Sequence, residues 1–200
     1  MNRGDRSAVP NLPRVKQSPR PALPGTDLRC SSPLRILGVD PGLNITGYGV
    51  LDASAGKLRL CEAGVVRSRG RGPIDLRVAE IHAGLTEVIS ATKPAVLALE
   101  QLYSHYARPR TAILMGHARG VICLAGAQAG IPVVHYSATQ VKRILTGSGR
   151  ASKSQVQRAI QRELGLAQLP EPPDVADALA IALCHYYLKG RVESGEWGIT

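Results

Sequence analysis

Several carboxylates stand where an isolated charge is hard to keep. Asp40 closes the apolar run ILGVD, Glu100 closes AVLALE, and Asp177 sits inside VADALAIAL, with Asp174 three residues before it. An ionised carboxylate in apolar surroundings costs several kcal/mol unless it is paired, hydrogen-bonded or metal-bound. Simpler explanations cover part of the set: Asp-Pro-Gly after Asp40 is a good turn tripeptide, and helix capping accounts for Asp174. Glu62 is a weaker case, because strand alternation can turn it to solvent. Glu100 and Asp177 are harder to explain in this way. Asp174 and Asp177, at i and i+3, share one helix face. Two strand-end acids and a helical pair can converge on one point, and without a His or Cys ligand set they favour hard cations, Mg²⁺ or Mn²⁺. Two such ions roughly 3.5–4 Å apart clamp the attacking water and the leaving oxygen in phosphodiester hydrolysis.

The charge around these acids has the opposite sign. The 200-residue chain carries 25 Lys+Arg against 15 Asp+Glu, a formal net charge of +10. Residues 101–162 hold nine basic residues and no acid: Arg108, Arg110, Arg119, Lys142, Arg143, Arg150, Lys153, Arg158 and Arg162. Complete exclusion of acids over such a length favours a polyanion-binding face over an ordinary solvated one. The Gly/Ser loop TGSGRAS, with Arg150 and Lys153 beside a helix start, suits phosphate contact. Tyr103 and Tyr106, near Arg108 and Arg110, suit stacking on an unpaired base.

An α/β framework must position these groups. LRILGVD, TGYGVLD and LRLCEAGVV read as three successive strands. IDLRVAEIHAGLTEVISAT has helical apolar spacing, with Leu76, Ala79, Ile81, Ala83, Leu85, Val88 and Ile89 on its apolar side and a stop near Pro94. AVLALEQ predicts a central strand covered on both faces, TAILMGHARGVICLAGAQAG a helix, and IPVVHYS a second buried strand. Ser137 with Gln140 and Ser152 with Gln155 predict two capping boxes, and DVADALAIALCHYYLKG a last helix ending at Gly190. The order predicts layered α/β architecture with a mixed sheet.

Residues 1–33 hold six of the 14 prolines and no apolar period, which reads as a basic, disordered extension. It has no secretory h-region, and its arginines leave an organellar transit peptide as a minor reading. Residues 34–190 form the predicted domain, and 191–200 a C-terminal tail. No apolar run reaches membrane-span length. The scattered Cys30, Cys61, Cys123 and Cys184 argue against zinc or a disulfide framework; those within the domain read as small buried hydrophobes in a cytoplasmic protein.

Residues 34–189 resemble the RuvC family of Holliday junction resolvases, through ILGVDPGLNITGYGV, LALEQLY, MGHARGV, VKRILTGSGRASKSQVQ and DVADALAIALCH in that order. The resemblance implies an RNase H-like fold with a five-stranded mixed sheet flanked by helices. It implies catalytic, metal-binding acids at Asp40, Glu100, Asp174 and Asp177, a junction-opening aromatic at Tyr103, and DNA-backbone lysines at Lys142 and Lys153. Arg110, Arg119, Arg143 and Arg150 join the expected DNA contacts through their place in the basic segment. Further implications are two Mg²⁺ per active site with Mn²⁺ as substitute, a homodimer on a four-way DNA junction, partnership with the RuvA and RuvB branch-migration proteins, and roles in recombination and repair. Two alternatives stand beside this reading. One is a catalytically idle junction-binding module. The other is an actin-like ATP-binding regulator, which would normally need a second, similar half that residues 34–200 leave no room for.

Overall fold

The computed structural model describes residues 34–54, 57–101 and 109–193. In chain order the elements are β1 (Leu34–Asp40), β2 (Ile45–Ser54), β3 (Lys57–Arg67), α1 (Ile74–Thr92), β4 (Val96–Glu100), α2 (Pro109–Gln128), β5 (Val133–Tyr136), α3 (Ala138–Thr146), α4 (Lys153–Leu164) and α5 (Pro173–Glu193). The sheet order is β3-β2-β1-β4-β5. β1 pairs antiparallel with β2 and β2 with β3, whereas β4 runs parallel to both β1 and β5. The C-terminal ends of β1, β3, β4 and β5 therefore all emerge along one rim.

Strand alternation divides the core into two layers. Ile36, Leu51, Val96 and Ala98 face α3, α4 and α5, while Leu37, Val39, Val50, Leu97 and Leu99 face α1 and α2. α1 buries Ile81, Leu85, Val88 and Ile89 at helical spacing, and stops at Lys93 in the left-handed conformation just before Pro94. Leu76, Ala79 and Ala83, counted on its apolar side in sequence, lie exposed.

α5 is the central helix of its layer, buried at Val175, Ala176 and from Ala178 through His185, with Asp177 half-buried. It lies unusually close to the sheet because glycines floor its path. A Cβ on Gly38 would come within 2.2 Å of the Ala178 carbonyl, and one on Gly47 within 2.1 Å of the Asp174 carbonyl. Fully buried Leu179 and Leu183 each stabilise this packing by about 1.5–3 kcal/mol.

Four details depart from expectation. β5 is an edge strand, with only Tyr136 buried, because a short apolar run does not reveal its place in the sheet order. α5 continues past Gly190 to Glu193; one glycine costs a helix only about 1 kcal/mol. Ser152 and Gln155 close a full capping box, whereas Ser137 shows the one-sided cap, accepting from the Gln140 amide. Of the cysteines, Cys184 is buried, Cys123 half-buried and Cys61 exposed.

Candidate active site

Parallel pairing brings Asp40 and Glu100 together. Val39 stands opposite Leu99 in the β1/β4 register, so the next residue on each strand is an acid, and alternation turns both toward α5. Gly47, the cross-strand partner of Asp40, lets the first turn of α5 settle onto the sheet and brings Asp174 and Asp177 over the same strand ends.

The electrostatics record the crowding. Asp40 is pushed up to about 8, first by burial, then by the negative charges of Glu100, Asp177 and Asp174, and by its hydrogen bond to Glu100. Glu100 is also raised, chiefly by burial; the hydrogen bond from Asp40 and the positive charges of Arg119 and Lys142 oppose the rise. A protonated Asp40 donating to an ionised Glu100 satisfies both shifts.

Asp177, on the same cleft, accepts from Lys153 Nζ at 2.9 Å. Among the described residues, no three His, Cys, Asp or Glu side chains stand gathered so that they could hold a metal ion as they are. The donor chemistry nevertheless fits a hard divalent cation. The four acids supply only oxygen ligands, and two of them already have raised pKa values in the field of their neighbours.

Beside the acids lies a cleft of about 280 Å³, lined by Glu100, Asp177, Lys142 and Lys153 over an apolar floor that includes Val141, Val156 and Ile181. Lys142 reaches it from α3. Lys153 stands at the first helical position of α4, placed there by the Ser152 cap. Arg143 and Arg150 are exposed on α3 and on the loop after it, and Arg110 is exposed at the start of α2. Tyr103, the expected junction-opening aromatic, lies outside the described residues.

Arg119 has a bracing geometry as well as a charge. Its Nη1 donates to the Glu100 carbonyl and its Nη2 to His135 Nδ1 at 2.6 Å, tying α2 to the ends of β4 and β5. Burial and the adjacent guanidinium hold the His135 pKa below its ordinary value, consistent with a neutral ring whose Nδ1 accepts. His135 was missed in sequence, because its partner lies 16 residues away on a different element.

A five-stranded mixed sheet, helices on both faces and acids at adjacent strand ends define an RNase H-like α/β domain. A family model described as crossover junction endodeoxyribonuclease RuvC matches residues 36–185. A Rhodopirellula baltica protein of that name is 59% identical over 153 residues, covering 76% of this chain and 86% of its own. The solved Thermus thermophilus RuvC is 36% identical with a TM-score of 0.71, covering 80% of this chain and 96% of that one. T. thermophilus RuvC in complex with a Holliday junction substrate is likewise 36% identical, with a TM-score of 0.74 and coverage of 80% and 97%. The chain belongs to the RuvC family of crossover junction endodeoxyribonucleases.

Proposed function

We propose that this protein binds four-way DNA junctions and resolves them by nicking two opposed strands, leaving ends that can be ligated. The observation that carries this reading is the paired Asp40 and Glu100 at adjacent strand ends, with Asp177 beside them and Lys142 and Lys153 on the same cleft. The junction as substrate is inferred from the T. thermophilus complex.

Asp40, Glu100, Asp174 and Asp177 would hold the divalent cations, two Mg²⁺ with Mn²⁺ able to substitute. When bound, these supply Lewis-acid polarisation of the phosphodiester and activation of water at neutral pH. Asp40 must give up the proton it shares with Glu100 for all four acids to act as ligands, so metal affinity rises with pH. Lys142 and Lys153 supply positive charge on the cleft wall where the DNA backbone passes, and Arg119 fixes the Glu100 backbone.

A four-way junction has approximate two-fold symmetry, so a homodimer with two active sites suits paired nicking. Partnership with RuvA and RuvB and a cytoplasmic location complete the proposal. No described helix is long and apolar enough to cross a membrane. The test is Glu100→Gln on a labelled synthetic junction. It is expected to bind like wild type and to cut at least about a hundred-fold more slowly; cutting at the wild-type rate would remove Glu100 from the chemistry.

A further inference from the structure

The connection from β3 to α1 carries an arginine cluster that no step of the proposed chemistry uses. Residues 67–77 contain Arg67, Arg69, Arg71 and Arg77 and a single acid, Asp75. This segment lies on the same rim as the carboxylates. Asp40 pairs with Gly47 and Gly47 with Val65, so Arg67 lies two strands across from Asp40 and two residues further along. Strand spacing and rise put the two Cα atoms roughly 12 Å apart. Val65 packs in the α5-side layer, so alternation turns Arg67 toward the face that bears Asp40.

The loop is sewn to the turn that leaves Asp40. The Ser68 amide donates to the Asn44 carbonyl at 3.1 Å, the Ser68 hydroxyl donates to the Leu43 carbonyl, and Arg77 donates to the Asn44 side chain. Glu80 engages Arg69 twice, accepting from its backbone amide at 2.7 Å and pairing with its Nε at 2.9 Å. That leaves Arg67 and Arg71, both exposed, with no side-chain hydrogen bond or ion pair among the described residues. Gly70 between them has nothing within 4 Å of where a Cβ would stand, so a ligand can approach the backbone closely.

We propose that residues 67–72 form a further phosphate-binding site, in which Arg67 and Arg71 hold the backbone of a duplex arm leaving the cleavage point. This rests on the reading that DNA lies across the carboxylate cleft. The sheet order supports the direction of the track: the arginine loop follows β3 at one edge, Lys142 stands on the helix after β5 at the other edge, and the acids lie between them. At one phosphate per about 3.4 Å of axis in each strand, the loop meets DNA about three to four nucleotides from the cut.

The test measures binding of a fluorescein-labelled immobile four-way junction in EDTA, from low to moderate salt. It compares wild type, Arg67→Ala/Arg71→Ala, and a control, Lys57→Ala/Arg59→Ala, which removes the same charge from exposed positions at the other end of β3. The loop variant is expected to bind about ten-fold more weakly than the control, with the slope of log K against log salt reduced by about 1.8, two phosphate contacts' worth. Equal affinity and slope for the two double variants would overturn the proposal. Wild-type cleavage of the same junction in Mg²⁺ separates the two readings: a wild type that cuts while the variants match each other leaves the resolvase reading standing and removes the loop. A wild type that does not bind the junction removes both. Should the alanine pair melt at lower temperature than wild type, Arg67→Gln/Arg71→Gln gives the same comparison.

Discussion

Replacing Asp40 by Asn is expected to end catalysis and at the same time to stabilise the metal-free protein. The Asp40 carboxyl is half-buried beside three other acids and pushed up to about 8, whereas in an unfolded chain it titrates near about 4. The folded state thus holds this proton more tightly than the unfolded state. The associated stability is fully present below about pH 4 and is lost as pH rises through the folded value near 8. At about 1.36 kcal/mol per pH unit, the loss between about pH 5 and 8 is on the order of 4 kcal/mol. Asn keeps the shape, carries no charge, and escapes that loss. Thermal melts in EDTA at the two pH values read the effect directly. With about 2–4 °C per kcal/mol for a domain of this size, the advantage of Asp40→Asn should grow by on the order of 10 °C from about pH 5 to 8. Added Mg²⁺ should narrow the gap at the higher pH by stabilising wild type alone. A gap that is the same at both pH values, or a variant that melts below wild type at the higher one, would refute the crowding argument.

Other perturbations probe the scaffold and the cleft. Gly47→Ala places a methyl group 2.1 Å from the Asp174 carbonyl, so α5 must shift; the expected cost is about 1–3 kcal/mol in denaturant melts, with cleavage reduced. An unchanged midpoint would contradict the close approach. Lys153→Ala removes an ion pair whose side chains are 55% and 41% exposed, so stability should change by less than about 1 kcal/mol. Junction binding should weaken with a shallower salt slope, and retention of both would count against phosphate contact at Lys153.

Much of the site was legible because a carboxylate at the end of an apolar run is conspicuous; Asp40 and Glu100 are of this kind. Their adjacency was not legible from local pattern, since it depends on β1 pairing in parallel with β4 across some sixty residues, a fact of topology. The Asp174 and Asp177 pair was visible as one helix face, but what seats that face is the absence of side chains at Gly38 and Gly47 on other strands. Arg119 and Arg143 were legible as charge only. Sequence could not separate Arg119, which braces Glu100 and His135, from Arg143 and Arg150, which are exposed. The arginines after β3 went unremarked because acids elsewhere in residues 34–100 nearly cancel them in a segment count. Likewise the apolar run of β5 looked buried, and only the sheet order reveals it as an edge.

We propose that these four acids form a metal-dependent centre that cuts junctions in pairs. Mapping nicks on a mobile synthetic four-way junction, with linear duplex of the same sequence alongside, shows whether they do. In Mg²⁺ the expected result is two nicks at symmetric positions in opposed strands, sealed by ligase without further processing, with the duplex intact and no cutting in EDTA. An intact junction in Mg²⁺, equal cutting of the duplex, or cutting that persists in EDTA would rule out a metal-dependent, junction-selective centre at these acids.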